Sequence, residues 1–379
     1  MMNFSFRRIS AALTVLCVVC AAALAQSSPS NSPKSFTGEA IKLPDVLPAK
    51  FEAVADAAQL PESSWVRFFT TDELSRVIVF YVSESSLNQA AAGAPKLPVI
   101  VYVQGSGSQS IYTRIERDGA VIASASGGQE SVAQFAKGRA MVVIAEKPGV
   151  SFMERPERPG GAEGSSQDFR VEHTLERWSV AVAAAMKAAL TLSRADATRV
   201  MVEGHSEGGL VACKVAADNT EVTHVATLAG GGATQLFDLI ELARSGVMCG
   251  SKSRSSEACV QWLLAQWGEV LKNPDSADEM FLGHPHRRWT SFLATSPVEE
   301  LKRTKARLFI GQGTEDKSAF PTSADVLYAT MRATGRTVTY SRVPGDHAFM
   351  TAMPGDEKNV DPAGWDQMHS RVVEWFLAE

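Results

Sequence analysis

The sequence predicts an α/β protein: a mostly parallel, doubly wound sheet with a helical cap inserted over one edge. Three observations carry this. Short apolar runs such as residues 99–103 (VIVYV) and 141–145 (MVVIA) have the continuous hydrophobicity of strands buried on both faces. Such runs alternate with helical stretches along the chain. Between residues 230 and 297 the alternation stops, and amphipathic stretches carrying Trp262, Trp267 and Trp289 take its place.

Each element follows from its residues. Stretches 65–69 and 77–82 are rich in β-branched and aromatic side chains. Polar Thr70-Thr71-Asp72-Glu73 separates them, which predicts an opening antiparallel hairpin. Further strands are expected at 99–103, 141–145, 200–202, 225–228, 308–310 and 338–343. Helices are expected at 129–136, 169–192, 210–217, 323–333 and 365–377, the second as one long alanine-rich stretch. Within the interruption, 235–243 and 258–271 have amphipathic spacing. The interval holds too many large apolar residues for a linker, so a cap at about 232–297 is expected within one domain spanning 41–379. No internal repeat is present.

The N-terminus has the pattern of a targeting segment. Arg7 and Arg8 precede a short apolar stretch, 9–22, and Ala23-Leu24-Ala25 fits a small-x-small cleavage site. The expectation is a signal peptide at 1–25, a disordered linker at 26–40 rich in Ser, Pro and Asn, and an exported protein, periplasmic or secreted. The apolar run is short for a membrane span, so no stable span is expected after cleavage. Cys17-Val18-Val19 ahead of Cys20 does not fit a lipidation box. Cleavage removes two of the 37 basic residues and none of the 42 acidic ones. Thirty-five then stand against 42, and the net charge moves from −5 to −7. With no basic stripe, nucleic acid is not an expected partner. About 350 residues suffice for a large core.

Of the three remaining cysteines, Cys249 and Cys259 flank a polar loop, and an oxidising compartment would allow a disulfide between them. Cys213 reads as a small buried apolar residue. No metal-ligand spacing appears. His284 and His286 flank Pro285 without a nearby acid cluster, so neither metal nor cofactor is expected.

The chemistry is concentrated at residues 198–210. A short apolar strand runs into Gly204-His205-Ser206-Glu207-Gly208, and a helix follows at once. An ordinary glycine-rich β–α turn can have the same letters, but strand, sharp turn and helix in this order make a nucleophile elbow. Serine is a poor nucleophile unless it is held out beside a base, and the glycines remove side chains that would clash in so tight a turn. The base candidate is His347, in a loop after strand 338–343. Six other histidines compete, among them His205 inside the elbow. The acid candidate is Asp316, in the loop after strand 308–310, with Glu315 and Asp346 as rivals. A tetrahedral intermediate needs oxyanion donors. The backbone N–H of Glu207, just after the nucleophile, is one, and the loop after strand 99–103, Gln104-Gly105-Ser106-Gly107-Ser108, supplies Ser106 as the other. The Gly-Lys-Ser/Thr of a phosphate-binding loop is absent there.

The order of these pieces resembles the α/β-hydrolase fold over most of residues 60–379. Gly204-His205-Ser206-Glu207-Gly208-Gly209, Gly313-Thr314-Glu315-Asp316 and Pro344-Gly345-Asp346-His347 are similar to motifs of dienelactone-hydrolase-like esterases. They are equally similar to those of prolyl-oligopeptidase-type serine peptidases. The resemblance implies a Ser206, Asp316, His347 triad. One departure is Gln104-Gly105 at the oxyanion loop, where many such proteins have His-Gly. The expected activity is hydrolysis of carboxylic esters by an exported serine hydrolase acting on a small-molecule ester or short peptide. The alternatives are a serine peptidase or amidase with the same triad, for which Glu207, Arg287 and Arg288 are candidate clamps, and a catalytically silent binding protein. Trp289 is a candidate pocket wall. The Glu207 side chain is expected to face solvent or a neighbouring helix.

Overall fold

A computed structural model describes residues 65–87, 94–117, 120–125, 127–154, 156, 160–249, 255–353 and 356–378. The expected signal segment and linker lie outside them. One eight-stranded sheet organises the chain: β1 (Trp65–Thr71), β2 (Val77–Ser83), β3 (Leu97–Val103), β4 (Met141–Ala145), β5 (Ala195–His205), β6 (His224–Leu228), β7 (Arg307–Gly313) and β8 (Val338–Val343). Its spatial order is β1-β2-β4-β3-β5-β6-β7-β8. β2 is antiparallel to both its neighbours, and every pairing from β4 to β8 is parallel. The loops that leave β3, β5, β7 and β8 therefore emerge at one edge, the usual place for a site in an open α/β sheet.

The central strands are apolar on both faces because helices cover both. All seven residues of β3 and all five of β4 are buried. Val99, Val101 and Val103 pack with α3 (Leu175–Leu190) and α4 (Glu207–Asp218) on one side. Ile100 and Tyr102 pack with α1 (Gly128–Ala136) and α10 (Ala363–Leu377) on the other. α10 presents Met368, Val372, Val373 and Phe376 to the sheet, spaced to form one helical face. α9 (Pro321–Ala333) adds Leu327 and Met331 to the first layer.

The expected long helix at 169–192 is two helices, α2 (Gln167–Glu172) and α3. Ser166 Oγ accepts from the Phe169 amide at 3.0 Å and Thr174 Oγ1 from the Arg177 amide at 3.3 Å, so each helix has its own N-cap. The break puts His173 between them. β5 is longer than its apolar triplet because pairing to β3 also takes in Ala195 and Asp196, ahead of a register irregularity over residues 197–199. Three two-stranded ribbons carry no strong strand pattern: Tyr112–Arg117 with Ala120–Ala125, Met280–Phe281 with His284–Pro285, and Thr351–Met353 with Asp356–Asp361.

The interruption is a small helical unit with its own core. α5 (Gln235–Arg244), α6 (Ser256–Val270) and α7 (His286–Leu293) enclose Leu239, Leu242, Val260, Leu263, Phe281 and Trp289. α8 (Pro297–Lys302) returns the chain to the sheet. Cys249 and Cys259 are joined as a disulfide, with Cα atoms 6.1 Å apart. Among the described residues, no helix is long and apolar enough to cross a membrane.

Candidate active site

Ser206 is the corner between β5 and α4. Its φ of 56° and ψ of −126° lie where a non-glycine residue is strained, a state held only by the structure around it. The flanking glycines make the corner possible. A Cβ at Gly204 would lie 2.0 Å from the carbonyl oxygen of Gly208, and one at Gly208 would lie 2.3 Å from that of Val103. The corner is pinned across the sheet by the Ser206 amide, which donates to the Leu228 carbonyl at 2.8 Å.

His347 and Asp316 arrive from the next loops along the same edge. The parallel register of β7 and β8 brings Gly313 opposite Val343, and the Glu315 amide donates to the Gly345 carbonyl at 2.8 Å, so the two loops run side by side. The Ser206 hydroxyl bonds His347 Nε2 at 2.9 Å, and His347 Nδ1 donates to Asp316 Oδ2 at 2.9 Å. The tautomer follows from the carboxylate, which can only accept.

The geometry separates Asp316 from its rivals. Asp316 is 2% exposed. Its Oδ1 accepts from the amides of Ser318 at 2.7 Å and Ala319 at 3.0 Å, and Gln312 Nε2 donates to Oδ2 at 3.1 Å. Burial alone would raise its pKa, but the His347 imidazole and these amides outweigh it and hold the carboxyl below its ordinary value. Glu315 is exposed. Asp346 spends Oδ1 on the amides of Ala348 and Met350, shaping the loop that carries His347. His347 itself is pushed down by burial, yet Asp316, with Asp346 and Asp238 behind it, leaves its pKa raised above 6.5.

His205 braces the loop that carries His347. Its Nε2 donates to the His347 backbone carbonyl at 2.8 Å, and its ring centroid lies 4.8 Å from that of Trp365. At the other wall, the loop after β3 approaches Ser206: a Cβ at Gly105 would lie 3.3 Å from Ser206 Cβ. Ser106 is the next residue. Glu207 opens α4, so its N–H has no carbonyl one turn back and stands at the positive end of the helix.

One expectation is narrowed and one is corrected. The Glu207 side chain is not solvated: it is 4% exposed, accepts from His173 Nε2 at 2.7 Å, and is ion-paired with Arg288 of the cap. Burial would raise its pKa, but Arg288 and His173 hold it well below the ordinary value. A buried carboxylate needs such partners, which is why it sits between the elbow and α7 rather than in water. Trp289, expected as a pocket wall, belongs to the cap's own core. Its Nε1 donates to the Phe281 carbonyl at 2.5 Å, and its rings pack against Phe281 and His284. The indole N–H must find an acceptor when buried, and that acceptor lies inside the cap. His173 and Arg288 were not visible as partners of the elbow in the sequence. The one local hint was Thr174, an N-cap letter in the middle of an apparent helix. Among the described residues, no group of three or more His, Cys, Asp or Glu could hold a metal ion.

The strand order with its antiparallel second strand, and the corner at Ser206, define the α/β-hydrolase fold. Comparison with solved structures agrees. The chain is similar to Pyrococcus horikoshii acylaminoacyl peptidase, with a TM-score of 0.53 and 14% identity over 83% of this chain and 42% of that one. An acylaminoacyl peptidase in complex with Z-Gly-Gly-Phe-chloromethyl ketone gives a TM-score of 0.51 and 14% identity, over 83% and 41%. Est1E from Butyrivibrio proteoclasticus gives a TM-score of 0.48 and 12% identity, over 84% and 100%. The chain thus spans about two fifths of the length of the peptidases it matches. No protein-family model matches the chain, and no curated protein matches it.

Proposed function

We propose that the protein is a serine hydrolase that cleaves carboxylic esters through an acyl-enzyme. The observation that carries this is the unbroken relay Ser206 Oγ, His347 Nε2, His347 Nδ1, Asp316 Oδ2, with both contacts at 2.9 Å. In this reading His347 takes the Ser206 proton as the hydroxyl attacks the ester carbonyl. Asp316 fixes the tautomer and steadies the imidazolium. The amides of Glu207 and Ser106 hold the oxyanion. His347 then protonates the leaving alcohol, and water, activated by the same histidine, clears the acyl group from Ser206.

Ester rather than peptide is favoured because two of the three candidate clamps are already engaged. Glu207 and Arg288 are buried and paired with each other, which leaves neither free for a peptide terminus. The signal-like residues 1–25 support an exported enzyme, periplasmic or secreted. The test is a parallel screen of the purified protein against short-chain p-nitrophenyl esters, lactones and aminoacyl p-nitroanilides. Ester turnover well above amide turnover is expected. Amide turnover that equals or exceeds it would assign the site to a peptidase. Failure of a fluorophosphonate probe to label Ser206 would remove the serine-hydrolase reading altogether.

A further inference from the structure

Lys147 is the second residue after β4, past the strand's carboxyl end, and β4 lies beside β3. It is 2% exposed, an unusual place for an ammonium group. Its Nζ donates to the Gly105 carbonyl at 2.5 Å and the Gly107 carbonyl at 2.6 Å, and lies 4.5 Å from the centre of the Trp178 ring. Both acceptors belong to the loop that abuts Ser206.

A trans peptide points its C=O and its N–H in opposite directions. The Gly105 carbonyl shares a peptide plane with the Ser106 N–H, and no peptide among the described residues is cis. Drawing that carbonyl onto Lys147 therefore turns the Ser106 N–H away from Lys147, on a loop whose Gly105 lies against the nucleophile. The second donor is held by the same cluster. Glu207, whose amide opens α4, is fastened through its carboxylate to His173 and Arg288, and it is the strongest favourable charge acting on Lys147.

We propose that Lys147 is the positioning residue of the oxyanion site: by binding the carbonyls of Gly105 and Gly107 it sets the direction of the Ser106 amide, in register with the amide of Glu207. This rests on the serine-hydrolase function proposed above. Charge-assisted bonds are about twice as strong as neutral ones, so the loop is held most firmly while the ammonium is charged. The charged and titratable groups that face Lys147 are Glu146 beside it, Glu207 on α4, Arg288 on α7, His173 between α2 and α3, and His284 in the short cap ribbon. Burial is the largest influence on Lys147 and lowers its pKa to about 8; Glu207 and Glu146 oppose that fall and Arg288 adds to it.

An oxyanion donor acts in the transition state, so its misplacement lowers kcat and spares KM. Lys147→Met should lower kcat on p-nitrophenyl acetate by about 100-fold, the effect typical of losing one donor, with KM within about threefold. Fluorophosphonate labelling should slow in parallel, and Lys147→Arg should restore at least about tenfold of the loss. Wild-type kcat should decline above about pH 8, and that alkaline limb should move upward in Lys147→Arg, because guanidinium does not titrate there. A folded Lys147→Met protein with kcat within threefold of wild type overturns the proposal. If that variant does not fold, a Lys147→Arg profile with the wild-type alkaline limb overturns it instead. A wild type that does not label removes the parent function and this proposal together. A labelled wild type with an unimpaired Lys147→Met removes this proposal alone.

Discussion

Two buried carboxylate–histidine pairs flank Ser206, and they are put to different ends. Asp316 holds His347 at 2.9 Å; Glu207 holds His173 at 2.7 Å. Both carboxyls are shifted down. The histidines diverge. His347 is raised, because the charges that act most strongly on it against burial are those of acids: Asp316, Asp346 and Asp238. His173 is lowered, because burial is joined by the cations Lys147 and Arg288. The first imidazole can accept the serine proton and hold it. The second stays neutral and serves as a strut between elbow and cap. A carboxylate–histidine contact is thus no sign of catalysis by itself; the third group at each imidazole decides.

The largest effects should break the first pair and leave the second intact. Ser206→Ala or His347→Ala should lower kcat for ester hydrolysis by at least about 10⁴-fold, with chemical denaturation little changed. Asp316→Asn should cost about 10³- to 10⁴-fold, because an amide can stabilise the wrong tautomer. Asp346→Asn, which weakens the bonds to the loop amides and removes a charge that acts on His347 less strongly than Asp316, should cost under about tenfold. Equal damage from Asp316→Asn and Asp346→Asn would mean that the acid has been misassigned.

The pH profile sharpens the same contrast. General-base action requires neutral His347, whose pKa lies above 6.5. kcat/KM should fall as pH falls through that raised value. Removing the Asp316 charge takes away the main influence that raises it, so the residual activity of Asp316→Asn should have its acid limb at lower pH than wild type. An unmoved limb would assign the titration to another group.

Breaking the cluster around the second pair, where Arg288 joins Glu207, should act on stability. Glu207→Gln leaves Arg288 buried without its counter-charge, and loss of one partner from a buried pair typically costs about 3–5 kcal/mol. Glu207→Gln/Arg288→Met should recover part of that loss in urea denaturation. If the single variant were as stable as wild type, the pair could not be the fastening between elbow and cap.

The first pair was legible in the sequence and the second was not, for a physical reason. Ser206, Asp316 and His347 each follow an apolar strand, and parallel strands deliver their loops to one edge whatever the details between them. Glu207–Arg288 joins α4 to α7 across 81 residues, through a cap whose packing has no period to read. Arg288 looks like a solvated cap residue because a lone arginine usually is one. The break at His173 was masked because apolar spacing continues on both sides of it, and Thr174 was its one local sign. Trp289 was visible as a large apolar residue, but a sequence does not say which of two cores it fills.

The smallest effect concerns two rings of one cluster. His205 and His347 have centroids 5.0 Å apart and opposite shifts. Burial, and then the charge of His347, lowers His205 to about 3. A histidine lowered in the folded state takes up its proton preferentially when unfolded. Its contribution to stability is therefore whole above pH 6.5 and is lost as pH falls toward 3. Between pH 6.5 and pH 5 the loss from His205 should be about 2 kcal/mol at 1.36 kcal/mol per pH unit. His347, raised, acts in the opposite sense: its share is present below pH 6.5 and lost as pH rises through its higher value. His205→Gln should flatten the acid side of the stability curve and leave the alkaline side alone, as measured by urea denaturation from pH 5 to pH 8. A slope that persists in the variant would move the acid sensitivity to His173 or His284, the other imidazoles that burial lowers.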